Sequence, residues 1–577
     1  MKIRKYIPLL ALASMLLGAC NDDFLNEKDT NSYNPEEVWN DIKLVDAYIA
    51  YLYRDTFESW PVNSGNLADE SGGLYDQSYI TPSSKHMKPW NYEEIYKINL
   101  LFQEIEKGTL SDSQKKYVKG QAYFLRAWNY FRMVVHYGGV PIIKKPQTTK
   151  DDLNVTRNST KECFDFIVSD LDEAIASLPD KSEGDNYGRI SKSIALAFKG
   201  RVLLYKASPQ FNPSNPYDNE YWDEAYTANK NAKETLEALG YGLLDNYNDI
   251  FLTENHKEAI LPVIFTNPGR TNGRKEHSVR PITESKNGTG GDQPIWRLVN
   301  AYPMKDGKQP GESMTYAFDE QRFWENRDPR FYSTIVYNGA IYELSGKSGR
   351  RQYTDIELGT TEDGFGKTQG YYRTGFYSKK GIQVSLPQAE VSLNEVDWLE
   401  IRFAEVLMNY AEAANEKGLQ GEALEILKKI RKRAGVEEGP DGMYGLKNGM
   451  GKDEIREALL HERYIEFTFE GKRFWDLRRH RRLNTLNGIM KFGLEAKLNG
   501  EVDVDKAKVY GYLPEDFTYK VSRLIEKDIQ TEGGGIQKLT MYMPDTYYFF
   551  PISLDDLDKN PNLKQNKDWG GDFDPTL

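Results

Sequence analysis

Long stretches of the chain repeat apolar side chains at helical spacing, and this pattern constrains the fold more than any other feature of the sequence. Within residues 112–136, one helical face carries residues 7, 4, 3 and 4 positions apart, namely Tyr117, Phe124, Trp128, Phe131 and Val135. Such spacing predicts an amphipathic α-helix. Gly138, Gly139 and Pro141 follow, and residues of these types commonly end helices.

The same periodicity returns near residue 400, at Leu399, Phe403, Val406, Tyr410 and Ala414. It predicts a helix that ends at Gly418 and a second helix over 420–434; the short gap makes them antiparallel neighbours. Further helices are predicted over 35–54, 91–107, 160–178, 191–207, 221–239, 452–470 and 472–482. Repeated helix pairs of this length predict a mainly α fold in which tetratricopeptide-like pairs form a scaffold.

A central segment, residues 266–398, interrupts the helical pattern. It holds sixteen glycines between Gly269 and Gly381, and sixteen aromatic residues between Trp296 and Tyr377. Long irregular regions in compact proteins are usually functional or disordered, and high aromatic content argues against disorder. We therefore expect residues 35–265 to form an N-terminal helical part and residues 266–398 a loop-rich ligand face. A C-terminal helical part over 399–577 would carry a smaller irregular insertion at 484–546.

The N-terminus has the organisation of a bacterial lipoprotein signal. Lys2, Arg4 and Lys5 precede an apolar run that is too short to span a bilayer, and Leu17-Gly18-Ala19-Cys20 follows. We predict a signal peptide over 1–19, acylation of Cys20 with chains such as palmitate, and a polar tether over 20–34. Several acyl chains on one cysteine anchor a protein stably. The alternative is an ordinary secretory peptide with an incidental cysteine.

The charge balance excludes one class of partner. The formal net charge is −12, and loss of the three N-terminal cations would move it to about −15. A field of that sign repels nucleic acid. If Cys20 carries lipid, Cys163 is left without a disulfide partner and is expected to be a buried small hydrophobe.

The sequence offers no complete catalytic or metal-binding constellation. Its six histidines form no H-E-x-x-H motif, there is no C-x-x-C, and Gly366-Lys367-Thr368 lacks the earlier glycine of a phosphate loop. Glu462, Glu466 and Glu470 share one helical face, and two such carboxylates could be an acid–base pair for glycoside cleavage. Four nearby cations favour an ion-pair network instead, namely Arg456, Arg463, Lys472 and Arg473. We predict no catalytic residues, no metal and no cofactor.

Several segments, in chain order, resemble signatures of the SusD/RagB family. They are 124–128 (FLRAW) with 137–141 (YGGVP), 188–191 (GRIS) with 197–205 (AFKGRVLLY), 399–406 (LEIRFAEV), 462–477, and 551–552 (PI) with 560–566 (NPNLKQN). The resemblance extends from Cys20 to residue 566. It implies a SusD-like helical fold and a lipoprotein on the surface of the outer membrane. It also implies a SusC-like TonB-dependent transporter as partner and an oligosaccharide as ligand, although some relatives of this family handle peptides.

Two loop segments combine the residue types that a sugar site needs. A sugar presents an apolar C–H face to aromatic rings and hydroxyls to carboxylate, amide or guanidinium groups. The candidates from residues 59–90 are Trp60, Asn66, Asp69, Tyr75 and Trp90. The candidates from residues 296–377 are Trp296, Tyr342, Tyr371, Tyr372 and Arg373. Core packing is the competing explanation for each aromatic residue.

These features predict a non-enzymatic, surface-exposed lipoprotein that binds a glycan and delivers it to a transporter. The same architecture binding peptides is the first alternative. A surface glycosidase is the second, and it would need two carboxylates facing each other across a groove.

Overall fold

The computed structural model describes residues 35–73, 80–83, 89–286, 288, 290–355, 357–359, 363–368, 371–524, 529–530, 536–537 and 540–577. Cys20, the predicted signal peptide and the predicted tether lie outside these residues. None of the helices over the described part of the chain combines the length and the apolar character needed to cross a membrane.

Seven α-helices form the N-terminal part over the residues that the structure describes. They are α1 (Pro35–Val38), α2 (Ile42–Thr56), α3 (Tyr92–Glu104), α4 (Asp112–Tyr137), α5 (Thr160–Ser177), α6 (Lys192–Ala207) and α7 (Tyr221–Ala238). Local sequence sets the starts of α4 and α5. Ser111 with Gln114, and Ser159 with Glu162, form capping boxes at these starts. A capping box satisfies backbone N–H groups that would otherwise be unpaired. Helix α4 ends at Gly138, whose φ of +78° suits glycine.

The C-terminal part continues this stack with α11 (Phe403–Glu416), α12 (Gln420–Ala434), α13 (Lys452–Glu466) and α14 (Arg473–Arg479). Neighbours α4 and α5, α6 and α7, and α11 and α12 pack as pairs, and α11 also packs on α7. Apolar residues of both helical parts share one core. The predicted mainly α fold with tetratricopeptide-like pairs is therefore confirmed.

One predicted helix start is wrong. Residues 399–402 belong to strand β8 (Trp398–Arg402), which pairs antiparallel with β1 (Ala259–Val263). The helix begins only at Phe403. Because the partner strand lies about 140 residues earlier in the chain, local periodicity carries no sign of this pairing.

The central part consists of short elements. It contains α8 (Gly273–Val279), α9 (Trp296–Ala301), α10 (Pro329–Thr334), β2 (Ile335–Val336), β3 (Ala340–Ile341), β4 (Arg351–Gln352), β5 (Gly366–Thr368), β6 (Tyr371–Arg373) and β7 (Tyr377–Ser378). The pairs are β2 with β7, β3 with β4 and β5 with β6.

The last part of the chain adds further short elements. These are β9 (Phe492–Leu498), α15 (Val504–Lys508), β10 (Phe517–Arg523), β11 (Ile529–Gln530), β12 (Ile536–Gln537) and α16 (Leu554–Lys559). The insertion predicted as irregular thus contains a regular seven-residue ladder between β9 and β10. A second core joins this hairpin to the central part through Phe323, Phe331, Phe376, Leu494 and Tyr519.

A buried ionic network joins the three parts. Arg402, at the end of β8, is fully buried and donates hydrogen bonds to Glu258, Glu466 and Glu470. Arg330, in α10, donates to Glu466 as well. The remaining members are Asp328, Glu462, Arg431, Arg433 and Lys380. Removing one partner of such an ion pair lowers the stability of the fold, because the other partner remains as an uncompensated buried charge.

This network confirms that Glu462, Glu466 and Glu470 are ion-paired, but their predicted partners are wrong. The four sequence neighbours pair elsewhere: Arg456 with Glu416, Arg463 with Asp476, Lys472 with Glu405, and Arg473 with Asp69. The actual partners come from α10, β8, α12 and the segment of Lys380, which only the folded chain brings to these glutamates.

Candidate ligand-binding site

The two loop segments singled out in the sequence meet in the structure. The backbone N–H of Asn63 donates to Asp292 at 2.8 Å, and that of Gly72 donates to the carbonyl oxygen of Gln293 at 2.9 Å. Thr374 donates its N–H to the side chain of Gln293 at 2.9 Å. Residues 63–73, 290–297 and 373–376 are therefore packed together, and we call this region, with its exposed edge, the loop face.

Trp296 is the partly exposed aromatic residue of the loop face. It begins α9 and packs against Phe323 at 5.4 Å and Phe376 at 6.4 Å between ring centroids. No described residue accepts a hydrogen bond from its indole N–H. The next residue, Arg297, leaves 51% of its side chain exposed. The pair thus presents an aromatic surface beside a guanidinium.

Asp69 holds Arg297 in place. Its carboxylate is almost fully buried and accepts from Arg297 at 3.1 Å and from Arg473 at 2.9 Å. Burial alone would raise the pKa of Asp69, but the guanidiniums of Arg473 and Arg297 outweigh it and lower the pKa. Predicted as a ligand contact, Asp69 is instead an anchor beneath the surface, since almost none of it is accessible.

Asn66 lies at the rim of the same face and is partly exposed. Its side-chain oxygen accepts from the Ser71 hydroxyl at 2.5 Å. Lys491 Nζ donates to the backbone carbonyl oxygens of Asn66 and Gly73 at 3.0 and 2.7 Å. These bonds fix the loop that carries Asn66 and Asp69 onto strand β9 and its neighbours.

Three predicted contact residues are buried, and the structure contradicts that part of the prediction. Trp60 is 2% exposed and packs between Phe251 and Trp398. Tyr342 and Arg373 are each 1% exposed. Their side chains have no surface for a ligand because packing between distant segments encloses them.

The other predicted residues have different positions. Trp90 is partly buried against Tyr92 and Tyr137 at the start of α3, in the helical part rather than on the loop face. Tyr371 and Tyr372 lie on β6, which leads directly into the loop face. Tyr75 lies outside the described residues. The structure therefore unites Asn66, Asp69, Trp296 and Arg373 in one region and places Trp90 elsewhere.

A concave surface that sequence analysis did not predict lies between the helical parts. A cavity of about 630 Å³ lies among the end of α2, helices α4 and α6, strand β8 and helices α11, α13 and α14. We call it the helical cavity. Its aromatic lining residues are Phe57, Trp128, Phe131, Tyr205, Trp398 and Trp475. They come from five separate segments, so no local pattern could have grouped them.

The glutamates that suggested glycoside cleavage lack the properties of a general acid. Glu462, Glu466 and Glu470 are each at most 2% exposed. Although burial opposes ionisation, neighbouring arginine guanidiniums lower the pKa of all three. A catalytic acid at neutral pH needs a raised pKa. Among the described residues, no group of three histidine, cysteine or acidic side chains could hold a metal ion.

The class of protein that this fold defines is a scaffold of tetratricopeptide-like helix pairs that carries a loop-built region. The model of the SusD family matches residues 257–569, and a model described as "Starch-binding associating with outer membrane" matches residues 23–204. Because the first match alone covers more than half of the sequence, the chain belongs to the SusD family.

Individual relatives agree with this assignment. SusD-like protein P38 of Formosa agariphila is 27% identical over 527 residues, which cover 85% of this chain and 95% of the relative. A solved SusD-like protein from Bacteroides fragilis has a TM-score of 0.73 at 24% identity and covers 92% of this chain and 98% of its own. A SusD-like carbohydrate-binding protein from the same species has a TM-score of 0.71 at 23% identity, covering 91% and 100%. These structural matches establish the fold.

Proposed function

We propose that this SusD-family chain is a lipid-anchored, surface-exposed protein that binds an oligosaccharide and does not cleave it. The observation that carries the proposal is the Trp296–Arg297 pair, an accessible indole beside a guanidinium held by a buried carboxylate. The family description "starch-binding" and the carbohydrate-binding relative support a glycan ligand.

The chemistry of the loop face suits a sugar. An indole face covers the apolar C–H surface of a pyranose ring, while guanidinium and amide groups hydrogen-bond its hydroxyls. Trp296 would supply the ring surface, and Arg297 and Asn66 the polar contacts. Since Asp69 restrains Arg297 before binding, less side-chain freedom is lost when the ligand binds.

The proposal includes a transporter. A lipid at Cys20 would keep the protein at the outer membrane, which agrees with the family description "associating with outer membrane". A tether cannot itself move a sugar across that membrane. Delivery therefore requires a second protein, for which a SusC-like barrel is the candidate, and tethering raises the effective concentration of the two proteins for each other.

Substitutions on the loop face test the ligand site. We expect Arg297→Gln to weaken glycan binding by about 1–3 kcal/mol, as for an interface hot spot, and to leave stability nearly unchanged because Arg473 still pairs with Asp69. Trp296→Ala should weaken binding as much and should also cost about 2 kcal/mol of stability, since the ring is half buried.

The assay is calorimetry of a soluble form lacking residues 1–20, with each variant checked by thermal unfolding. Tyr96→Ala is the matched control, because Tyr96 is an exposed aromatic residue on α3, away from the loop face. Unchanged glycan affinity in both loop-face variants would show that the glycan does not bind to the loop face. If the protein binds peptides but no glycan, its ligand is a peptide and the proposed ligand class is wrong.

A further inference from the structure

The helical cavity carries polar groups that the described protein leaves without partners. Trp128 is 7% exposed, yet no described residue accepts a hydrogen bond from its indole N–H. The same holds for the Trp475 indole and the Tyr205 hydroxyl, which also line the cavity. Ser64 Oγ, another lining group, is buried without a partner among the described residues. Tyr205 and Trp475 are partly exposed, so these groups are open to a ligand in the cavity.

His136 adds an acceptor to these groups. It is 7% exposed and lines the cavity next to Trp475, with 4.7 Å between the ring centroids. Its Nδ1 lies 2.6 Å from the carbonyl oxygen of Arg132, so Nδ1 carries the proton and Nε2 remains an acceptor. Burial keeps the ring neutral by lowering its pKa.

The opposite wall is charged but internally compensated. Arg201 bonds Glu400 at 2.9 Å and Glu405 at 2.7 Å, and Lys472 also bonds Glu405 at 2.7 Å. At the mouth, Arg132 pairs with Glu58, whose side chain is 75% exposed. An anionic ligand would meet no free cation on this wall. Paired carboxylates and guanidiniums keep spare acceptor and donor capacity for neutral hydroxyls.

We propose that the helical cavity is a second carbohydrate site, which takes one or two neutral sugar rings. It is distinct from the Trp296–Arg297 pair, although Ser64 of the loop face also lines it. Its volume lies within the range of small-molecule pockets. The rings of Phe131, Tyr205 and Trp475 would cover the apolar face of a pyranose, while the unpartnered donors and His136 Nε2 bond its hydroxyls. The inference rests on the proposed function only for the class of ligand.

Tyr205→Phe tests this site with the least disturbance of the fold. The variant removes one hydroxyl that bonds no described residue, so the ligand-free protein should keep its stability. Trp475→Phe likewise removes the indole N–H and keeps an aromatic ring. We expect each variant to weaken binding of a neutral disaccharide about 5- to 10-fold, the effect of one lost hydrogen bond.

The probes are maltose, cellobiose and laminaribiose, titrated into the soluble form while tryptophan fluorescence is recorded. Tyr130→Phe is the matched control: its hydroxyl accepts from the Ile143 N–H at 2.7 Å away from the cavity, so it should lose stability but no affinity. Tyr96→Ala, on α3 and outside both sites, should leave disaccharide binding intact.

The outcomes separate this inference from the proposed function. Disaccharide binding that is weakened in Tyr205→Phe and Trp475→Phe, but unchanged in Tyr96→Ala, supports the cavity site even if the loop face fails. Binding that is lost only in Arg297→Gln overturns it. A disaccharide-soaked crystal with water alone in the cavity, or no binding of any of the three disaccharides, also overturns it.

Discussion

Replacing Arg402 with methionine should reduce the free energy of unfolding by about 3–5 kcal/mol, the cost of breaking a buried ion pair from one side. The Arg402 guanidinium is fully buried and makes five hydrogen bonds of 2.7–2.9 Å, to the carboxylates of Glu258, Glu466 and Glu470 and to the backbone carbonyl oxygen of Glu466. Methionine fills similar space and supplies none of them.

The loss should depend on pH because of Glu470. In the native protein, Arg402 and Lys380 outweigh burial and hold the pKa of Glu470 below its ordinary value. This contribution to stability is present at neutral pH and is lost on acidification. Without Arg402, burial should raise the pKa of Glu470, so the variant is destabilised further as pH rises above the unfolded pKa of about 4.5. The deficit should be larger at pH 8 than at pH 5.

Urea unfolding at both pH values, followed by tryptophan fluorescence, measures this effect. Arg54→Met is the control: Arg54 is 63% exposed and pairs with Asp55 on the surface, so it should cost less than about 1 kcal/mol. An Arg402→Met midpoint close to wild type at pH 8, or a deficit that is the same at both pH values, would refute this reasoning.

Two further predictions concern the loop face and the anchor. Burial raises the pKa of Glu70 to about 8. Above pH about 4.5 the unfolded chain loses this proton, whereas the folded chain keeps it. The free energy of unfolding therefore falls as the pH rises from about 4.5 to 8. Glu70→Gln should remove that slope and melt above wild type at pH 8 but not at pH 5; equal melting temperatures at pH 8 would contradict it. Cys20→Ala should abolish labelling by a fatty acid and release a folded protein; an unchanged label would defeat the lipidation prediction.

Local sequence accounts well for the scaffold. The predicted helices 112–136 and 160–178 match α4 and α5 to within one residue at each end, and the structure shows that Ser111 and Ser159 cap their starts. These signals act over one or two turns and need no tertiary contact. Strand β8 was missed because its hydrogen bonds go to Ala259–Val263, and periodicity cannot report a partner that distant.

The candidate site was only partly predictable. Composition indicated two aromatic-rich loops as the candidate ligand face, but it could not distinguish a partly exposed ring such as Trp296 from an enclosed one such as Trp60. That difference depends on Phe251 and Trp398, which reach Trp60 from distant parts of the chain. The helical cavity escaped prediction for the same reason, since folding alone groups Trp128, Tyr205 and Trp475.

The most direct test of the central claim measures binding and cleavage in one sample. The soluble form lacking residues 1–20 is incubated with a panel of polysaccharides, and with peptides as a parallel arm; retained ligand and new reducing ends are then quantified. We expect at least one polysaccharide to be retained with its chain length unchanged. New reducing ends in proportion to the protein, or retention of peptides alone, would contradict the account of a glycan-binding protein that does not cleave its ligand.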